Sequence, residues 1–244
     1  MRAMTEQLYL ADQELRTFAA TITGLEEAED GAGGRILLDQ TAFYATGGGQ
    51  PHDHGTLTID GVAHEVTNVR KEGADIWHSI EGPLPAEGTD VTGDVDWDRR
   101  HQLMRAHSAM HVLGGVIWNE YRVLSTGNNM EPLKGRIDYE FDPLPEGFAE
   151  TIQAAVNEEI AADRPIEVTF LPRETAVGDE DLIRTKVNMI PEAVTEIRVV
   201  DIVGLDKQAD GGTHVRSTGE IGTFTVIKTE SKGKGNKRIR WELS

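Results

Sequence analysis

The feature that most restricts how this chain can fold is a change of hydrophobic period near Asp98. Before it come short runs rich in β-branched and aromatic residues: ATITGLEEA, GRILLDQTAFY, GTLTIDGVAHEVTNVR, ADIWHSI and TDVTGDVDW. Glycine, proline and acidic turn residues such as Asp60-Gly61 divide them. Short strands at this spacing predict a small barrel or sandwich, preceded by an N-terminal strand or short helix. After Asp98, the residues Leu103, Ala106, Met110, Leu113 and Ile117 recur in steps of three and four. That pattern predicts a helix to about Tyr121, with Asp96 or Asp98 as its cap.

Beyond the helix, GRIDYEFD over Gly135 to Asp142 reads as a strand. A second helix is expected over Glu146 to Asp163, with Phe148, Ile152, Val156 and Ile160 on one stripe and Pro165 at its exit. Then follow IEVTFL, a short segment at Asp179 to Asn188, and strands near Thr195 to Ile202 and Gly222 to Thr229. Helices and strands alternate unevenly, which predicts an α+β fold and not a doubly wound parallel sheet. The expected domains are a β-barrel over residues 1–95 and a second domain over 96–244, with the linker at about 92–98.

At 244 residues the chain has ample material for a buried core. No apolar run approaches the roughly 18 residues that span a bilayer, and the acidic N-terminal segment lacks a signal-peptide core, so a cytoplasmic protein is expected. There are no cysteines, which excludes disulfides and thiolate ligands, so any metal must be held by nitrogen and oxygen. Forty-two acidic residues against 24 basic ones give a net charge of −18, which argues against a generic nucleic-acid binder. The acids are scattered and lysines are few. This fits either a halophilic surface adapted to a saline cytosol or an ordinary acidic surface kept for solubility. The final stretch reverses the sign: Lys228, Lys232, Lys234, Lys237, Arg238 and Arg240 face only Glu230 and Glu242. Such an edge is a candidate phosphate contact, a solvated terminus, or a closing strand.

Three runs carry chemistry. His107 and His111, in RAHSAMH, stand at i and i+4 and project from one helix face, beside the apolar seam. That spacing lets two imidazoles reach one metal ion, although such pairs also occur as buried histidines bonded to carbonyls. Ser108 occupies the place where a zincin puts its general base, so metalloprotease chemistry is not expected. In DGGTH, Asp210 and His214 flank two glycines, whose freedom to take positive φ would let both side chains turn to one point. The alternative is a Gly-Gly turn with an incidental histidine. Together the two runs offer three imidazoles and one carboxylate, a plausible tetrahedral set for zinc. The third run, TAFYATGGGQP, places Gly47, Gly48 and Gly49 before Gln50 and Pro51. It is neither a P-loop nor a dinucleotide fingerprint, and reads only as a tight or functional loop.

Taken together and in this order, FYATGGGQPHDHG, HSAMH and DGGTHV resemble the freestanding alanyl-tRNA editing proteins, relatives of the editing domain of alanyl-tRNA synthetase. Arg99-Arg100 and RIDYEF also look like family positions, and the resemblance covers about residues 35 to 230. It implies a small β-barrel followed by an α+β sandwich editing domain. It also implies hydrolysis in trans of mischarged tRNA(Ala), chiefly the seryl and also the glycyl form, without a class II aminoacylation core. The implied metal ligands are His107, His111, Asp210 and His214. Asp210 stands where the family has cysteine, so the cofactor is Zn2+ or another divalent ion, and Asp210 is a ligand, a base or a group behind the ligands. No side chain is assigned as catalyst, since activation of water is left to the metal. Thr126 matches the threonine that reads the serine hydroxyl, or else caps a loop. Gly47, Gly48, Gly49 and Gln50 are implied in substrate binding, and Lys232, Lys234, Lys237 and Arg238 are candidate tRNA phosphate contacts. The competing functions are deacylation of another aminoacyl-tRNA, such as mischarged tRNA(Thr), and RNA binding without catalysis.

Overall fold

The computed structural model of the chain describes residues 4–29, 33–141, 143–177, 182, 195–233 and 235–244. The segment expected at Asp179 to Asn188 lies outside the described residues except for Leu182. The chain divides into two compact units, Met1–His101 and Gln102–Ser244.

In the first unit, β1 (Glu6–Gln7) and a 3-10 turn (Leu8–Leu10) precede the main sheet, and β1 pairs in parallel with β4 (Gln40–Thr41). The remaining strands are β2 (Thr17–Glu27), β3 (Gly33–Leu38), β5 (Gly55–Ile59), β6 (Val62–Glu72), β7 (Asp75–Glu81) and β8 (Asp90–Val95). They close into a barrel in the order β2-β3-β7-β6-β5-β8. Alternation drives this closure. In β2 and β8 every second side chain is buried, so Phe18, Ala20, Ile22, Val91 and Val95 fill the interior with Ile36, Leu57, Val69 and Ile76. Bulges between Ile22 and Gly24 and between Val66 and Asn68 supply the bends that a closed sheet of this size needs. Asp60 and Gly61, expected as a turn, join β5 to β6 with φ of 50° and 78°, the left-handed geometry of a two-residue hairpin loop. Phe18 lies against Gly93, where an added Cβ would come within 2.2 Å of the ring.

Helix α1 (Trp97–Tyr121) begins in the first unit and runs on into the second. Asp96 caps it by accepting the Arg99 N–H at 3.1 Å. The expected seam of Leu103, Ala106, Met110, Leu113 and Ile117 is buried, but so are Met104, Ala109 and Val112 between its members. This middle stretch is therefore buried on all faces and not on one stripe.

Among the described residues the second unit holds two antiparallel sheets. One has the order β14-β15-β10-β9, formed by β9 (Ser125–Glu131), β10 (Lys134–Tyr139), β14 (Phe224–Ser231) and β15 (Lys237–Leu243). The other has the order β11-β12-β13, formed by β11 (Ile166–Pro172), β12 (Glu196–Ile202) and β13 (Asp206–Ala209). Helix α2 (Phe148–Ala161) buries its expected stripe of Phe148, Ile152, Val156 and Ile160. It is tied to β14 by Asn157, which donates to the Phe224 carbonyl at 2.8 Å and accepts the Phe224 N–H at 2.9 Å. A short helix α3 (Arg173–Val177) follows β11. The architecture is α+β, a six-stranded barrel followed by an α+β unit. Of the basic C-terminal run, Lys237, Arg238 and Arg240 stand on the interior strand β15, where Ile239, Trp241 and Leu243 are buried, and Lys228 on β14, so for these residues the reading as a solvated terminus does not hold.

Candidate metal centre

Helix α1 places His107 and His111 one turn apart, with ring centroids separated by 5.1 Å. Strand β13 ends at Ala209 and runs straight into Asp210-Gly211-Gly212-Thr213-His214. Neither Gly211 nor Gly212 is among the described residues with positive φ, contrary to the expectation for this pair. The Asp210 side chain itself closes the turn, accepting the Gly212 N–H at 2.6 Å. Arg198 on β12 holds the same turn from behind, donating to the Asp210 carbonyl at 3.0 Å and the Gly212 carbonyl at 2.9 Å.

These segments bring His107, His111, Asp210 and His214 together, with one ligand atom from each lying within 4.8 Å of all the others. The ring centroid of His214 lies 4.3 Å from that of His107 and 4.8 Å from that of His111. Each imidazole turns its Nε2 toward Asp210. The distances are 3.6 Å from His107, 3.9 Å from His111 and 3.1 Å from His214. Ligand atoms around a tetrahedral zinc ion, at bond lengths near 2.1 Å, stand about 3.4 Å apart. The spacing therefore matches a shared ion.

The electrostatics agree. Burial pushes His107 well below its ordinary value; Asp210 pulls it up, but His214, His111 and Arg198 add to the fall. Burial likewise lowers His214 to about 4 against the pull of its Asp210 hydrogen bond. Burial works to raise the Asp210 carboxyl, yet His107, His214 and His111 outweigh it and hold the group well below the usual range. Two neutral imidazoles beside an ionised carboxylate are in the protonation states that metal ligation requires.

The outward ring nitrogens of His214 and His111 each have a polar neighbour. Ser108 Oγ lies 3.2 Å from His214 Nδ1 and accepts the Val215 N–H at 3.2 Å. Asp206 Oδ2 lies 3.4 Å from His111 Nδ1. Contacts of this kind fix the tautomer and aim Nε2 at an ion. Sequence reasoning missed Asp206 and Arg198, and read Ser108 only as an absent base. A serine between two histidines and an acid four residues before Asp210 were the visible traces. Neither identifies a partner until β12 and β13 are packed on α1.

The other expected residues are placed as follows. Gly47 and Gln50 exchange backbone hydrogen bonds at 3.1 and 2.9 Å around Gly48 and Gly49, whose φ values are 59° and 90°. This is a tight hairpin turn in the first unit, and the Tyr44 hydroxyl donates to the Gly47 carbonyl at 3.0 Å. Gln50 is fully buried. Behind the turn, Arg100 Nε donates to both Asp53 oxygens at 2.9 and 3.0 Å, and Asp53 accepts the Tyr44 N–H at 2.6 Å. Arg100 also donates to the carbonyls of Ala42 at 2.6 Å and Gln13 at 2.8 Å. Both members of this ion pair are inaccessible to solvent, so Arg100, noted in the sequence only within the Arg99-Arg100 pair, is a structural clamp. Thr126 lies on β9, where its hydroxyl donates to Asn236 Oδ1 at 3.3 Å, and not in a loop. Lys232 is exposed, Lys237 donates to Ser231 Oγ at 3.2 Å, and Lys234 lies outside the described residues. Arg238 makes a two-point ion pair with Asp138, both contacts at 2.7 Å.

No described helix is long and apolar enough to cross a membrane. Residues 197–240 match the family model described as the threonyl and alanyl tRNA synthetase second additional domain. Residues 4–99 match that of the class II (A) tRNA synthetases. A protein of Saccharolobus solfataricus named alanyl-tRNA editing protein AlaX-M is 36% identical, covering 98% of this chain and 99% of its own length. The protein of that name from Methanosarcina mazei is 38% identical, over 98% and 97% respectively. The alanine–tRNA ligase of Pyrobaculum aerophilum is 38% identical over 96% of this chain but only 26% of the ligase.

Proposed function

The chain belongs to the alanyl-tRNA editing protein family, and from that premise we propose that it hydrolyses the ester of mischarged tRNA(Ala) in trans, chiefly Ser-tRNA(Ala) and also Gly-tRNA(Ala), in a saline cytoplasm. The observation that carries this reading is the convergence of His107, His111, Asp210 and His214 from two distant segments. Zinc is the proposed ion. A divalent ion held by these residues would polarise the ester carbonyl and lower the pKa of water.

The chain's own residues do the rest. Burial keeps His107 and His214 uncharged, so each could present an unprotonated Nε2 to an ion, and Asp210 supplies the negative charge among them. Alanine and serine differ by a hydroxyl, and only a site that hydrogen-bonds it can reject the ester lacking it. Thr126 is proposed for that role. Gly47, Gly48, Gly49 and Gln50 are proposed to contact the aminoacyl end. Lys232, Lys234 and Lys237 are proposed to contact tRNA phosphates. Arg238, engaged by Asp138, is the weakest member of that group.

The test is deacylation of Ser-, Gly- and Ala-tRNA(Ala) in high salt, with and without chelator, with mischarged tRNA(Thr) included because the matching family model is shared with threonyl enzymes. Seryl and glycyl esters should be cleaved, the alanyl ester spared, and chelator should abolish turnover. The H107A/H111A double variant should fall to the uncatalysed rate. Parent activity in that variant would refute the metal-site mechanism, and cleavage confined to tRNA(Thr) would reassign the substrate. Binding of tRNA without cleavage of any ester would make the chain a non-catalytic RNA-binding relative.

A further inference from the structure

Helix α1 carries two adjacent glycines, Gly114 and Gly115, in its interior and just past His111. Glycine is among the least favourable residues there, so its presence calls for a packing reason. The two positions differ. A Cβ on Gly115 would stand 2.9 Å from Asp206 Cβ and 3.1 Å from Leu205 Cγ, too close without movement of the turn between β12 and β13. A Cβ on Gly114 would meet only the Tyr139 hydroxyl at 3.7 Å and Gln208 Nε2 at 3.9 Å, ordinary contacts. Only Gly115 is needed for the turn to come this close to the helix.

What that approach delivers is the Asp206 carboxylate. Asp206 is 3% exposed, accepts a hydrogen bond from Gln208 Nε2 at 2.7 Å, and lies 3.4 Å from His111 Nδ1. An imidazole that offers Nε2 to an ion carries its proton on Nδ1, and a carboxylate facing Nδ1 fixes that tautomer and strengthens the ligand. At 3.4 Å the contact is still longer than a good hydrogen bond. Its strength therefore depends directly on how near α1 the turn can sit.

We propose that Asp206 is a positioning residue for the metal centre, acting through His111, and that Gly115 is the gap in α1 that lets it reach. The proposal rests on the reading of His107, His111, Asp210 and His214 as metal ligands. It is not a catalytic assignment, because Asp206 touches a ligand and not the reacting atoms.

The test is competition of the full chain with a chelating indicator for Zn2+, together with the visible spectrum of the Co2+-loaded protein. Asp206→Ala should lose about 10–100-fold in metal affinity and change the Co2+ spectrum. Asp206→Asn, which keeps the shape and an acceptor oxygen, should lose less. Gly115→Ala should lose affinity although it removes no polar group. Gly114→Ala should keep the parent affinity and raise the Tm. Parent affinity in both Asp206→Ala and Gly115→Ala would overturn the proposal, as would equal losses in the Gly114 and Gly115 variants. A His107→Ala protein that loses the bound equivalent while the Asp206 variants keep it would leave the metal reading standing and this one refuted. A parent that takes up no metal overturns both. If Asp206→Ala does not fold, Asp206→Asn and Gly115→Ala still decide the matter.

Discussion

Asp210 stands where the resemblance implies a cysteine, and its surroundings show what a carboxylate does at that place. A carboxylate is a harder donor than a thiolate and has two oxygens. Oδ2 is taken by the Gly212 N–H and lies 3.1 Å from His214, while Oδ1 faces His107 and His111. The same side chain thus builds its own turn and presents an oxygen to the cluster, which explains why Gly211 and Gly212 need no positive φ. In the barrel, a different histidine carries a pH dependence. His78 is fully buried beside the Thr41 hydroxyl at 2.9 Å, and burial lowers it to about 4. The folded state keeps it neutral while the unfolded chain takes up a proton below about pH 6.5, so stability is full above that value and is lost as pH falls toward 4. The loss amounts to about 3 kcal/mol at most. Denaturant titrations between pH 7 and 4 should show a steeper fall for the parent than for His78→Gln, and equal slopes would remove His78 as the cause. Nothing in the sequence around His78 announces its full burial, because burial is a tertiary property.

Among the elements, α1 was legible and β9 was not. The steps of three and four from Leu103 to Ile117 marked the helix, and Asp96 marked its start. Strand β9 reads STGNNME, with glycine and asparagine where strands prefer branched residues, and it exists because β10 pairs with it along its length. Strand β15 shows the converse. Its basic residues drew attention as a charged tail, while its alternation of Ile239, Trp241 and Leu243 was the structural message. Since β15 lies between β14 and β10, truncation before Lys237 should unfold the second unit and not merely weaken tRNA binding. Circular dichroism and proteolysis of a chain ending at Asn236 check this directly; a truncated chain that keeps its fold and Tm would contradict the assignment. Contacts to tRNA are better probed by Lys232→Glu and Lys237→Glu, which leave the strand order intact.

For the whole molecule the net charge of −18 sets the conditions under which it is stable. Some described basic side chains are already engaged in ion pairs, such as Arg35 with Glu72 and Arg238 with Asp138, and acids outnumber bases 42 to 24, so repulsion among the remaining acids is left to the solvent to screen. The Tm should therefore rise as KCl is increased from 0.1 M to molar concentration, and a flat or falling Tm would count against a saline adaptation. The sequence alone determined the α+β class, the helix that carries His107 and His111, the absence of thiolate ligands and the four residues worth testing as metal ligands. Periodicity, composition and motif order are all properties of the chain taken along its length. Only the tertiary structure decided that those residues meet within 4.8 Å, that Ser108 and Asp206 stand behind two of them, and that Gly115 makes room for the second. Convergence of segments about a hundred residues apart depends on how strands pack on a helix, and no local pattern encodes that distance.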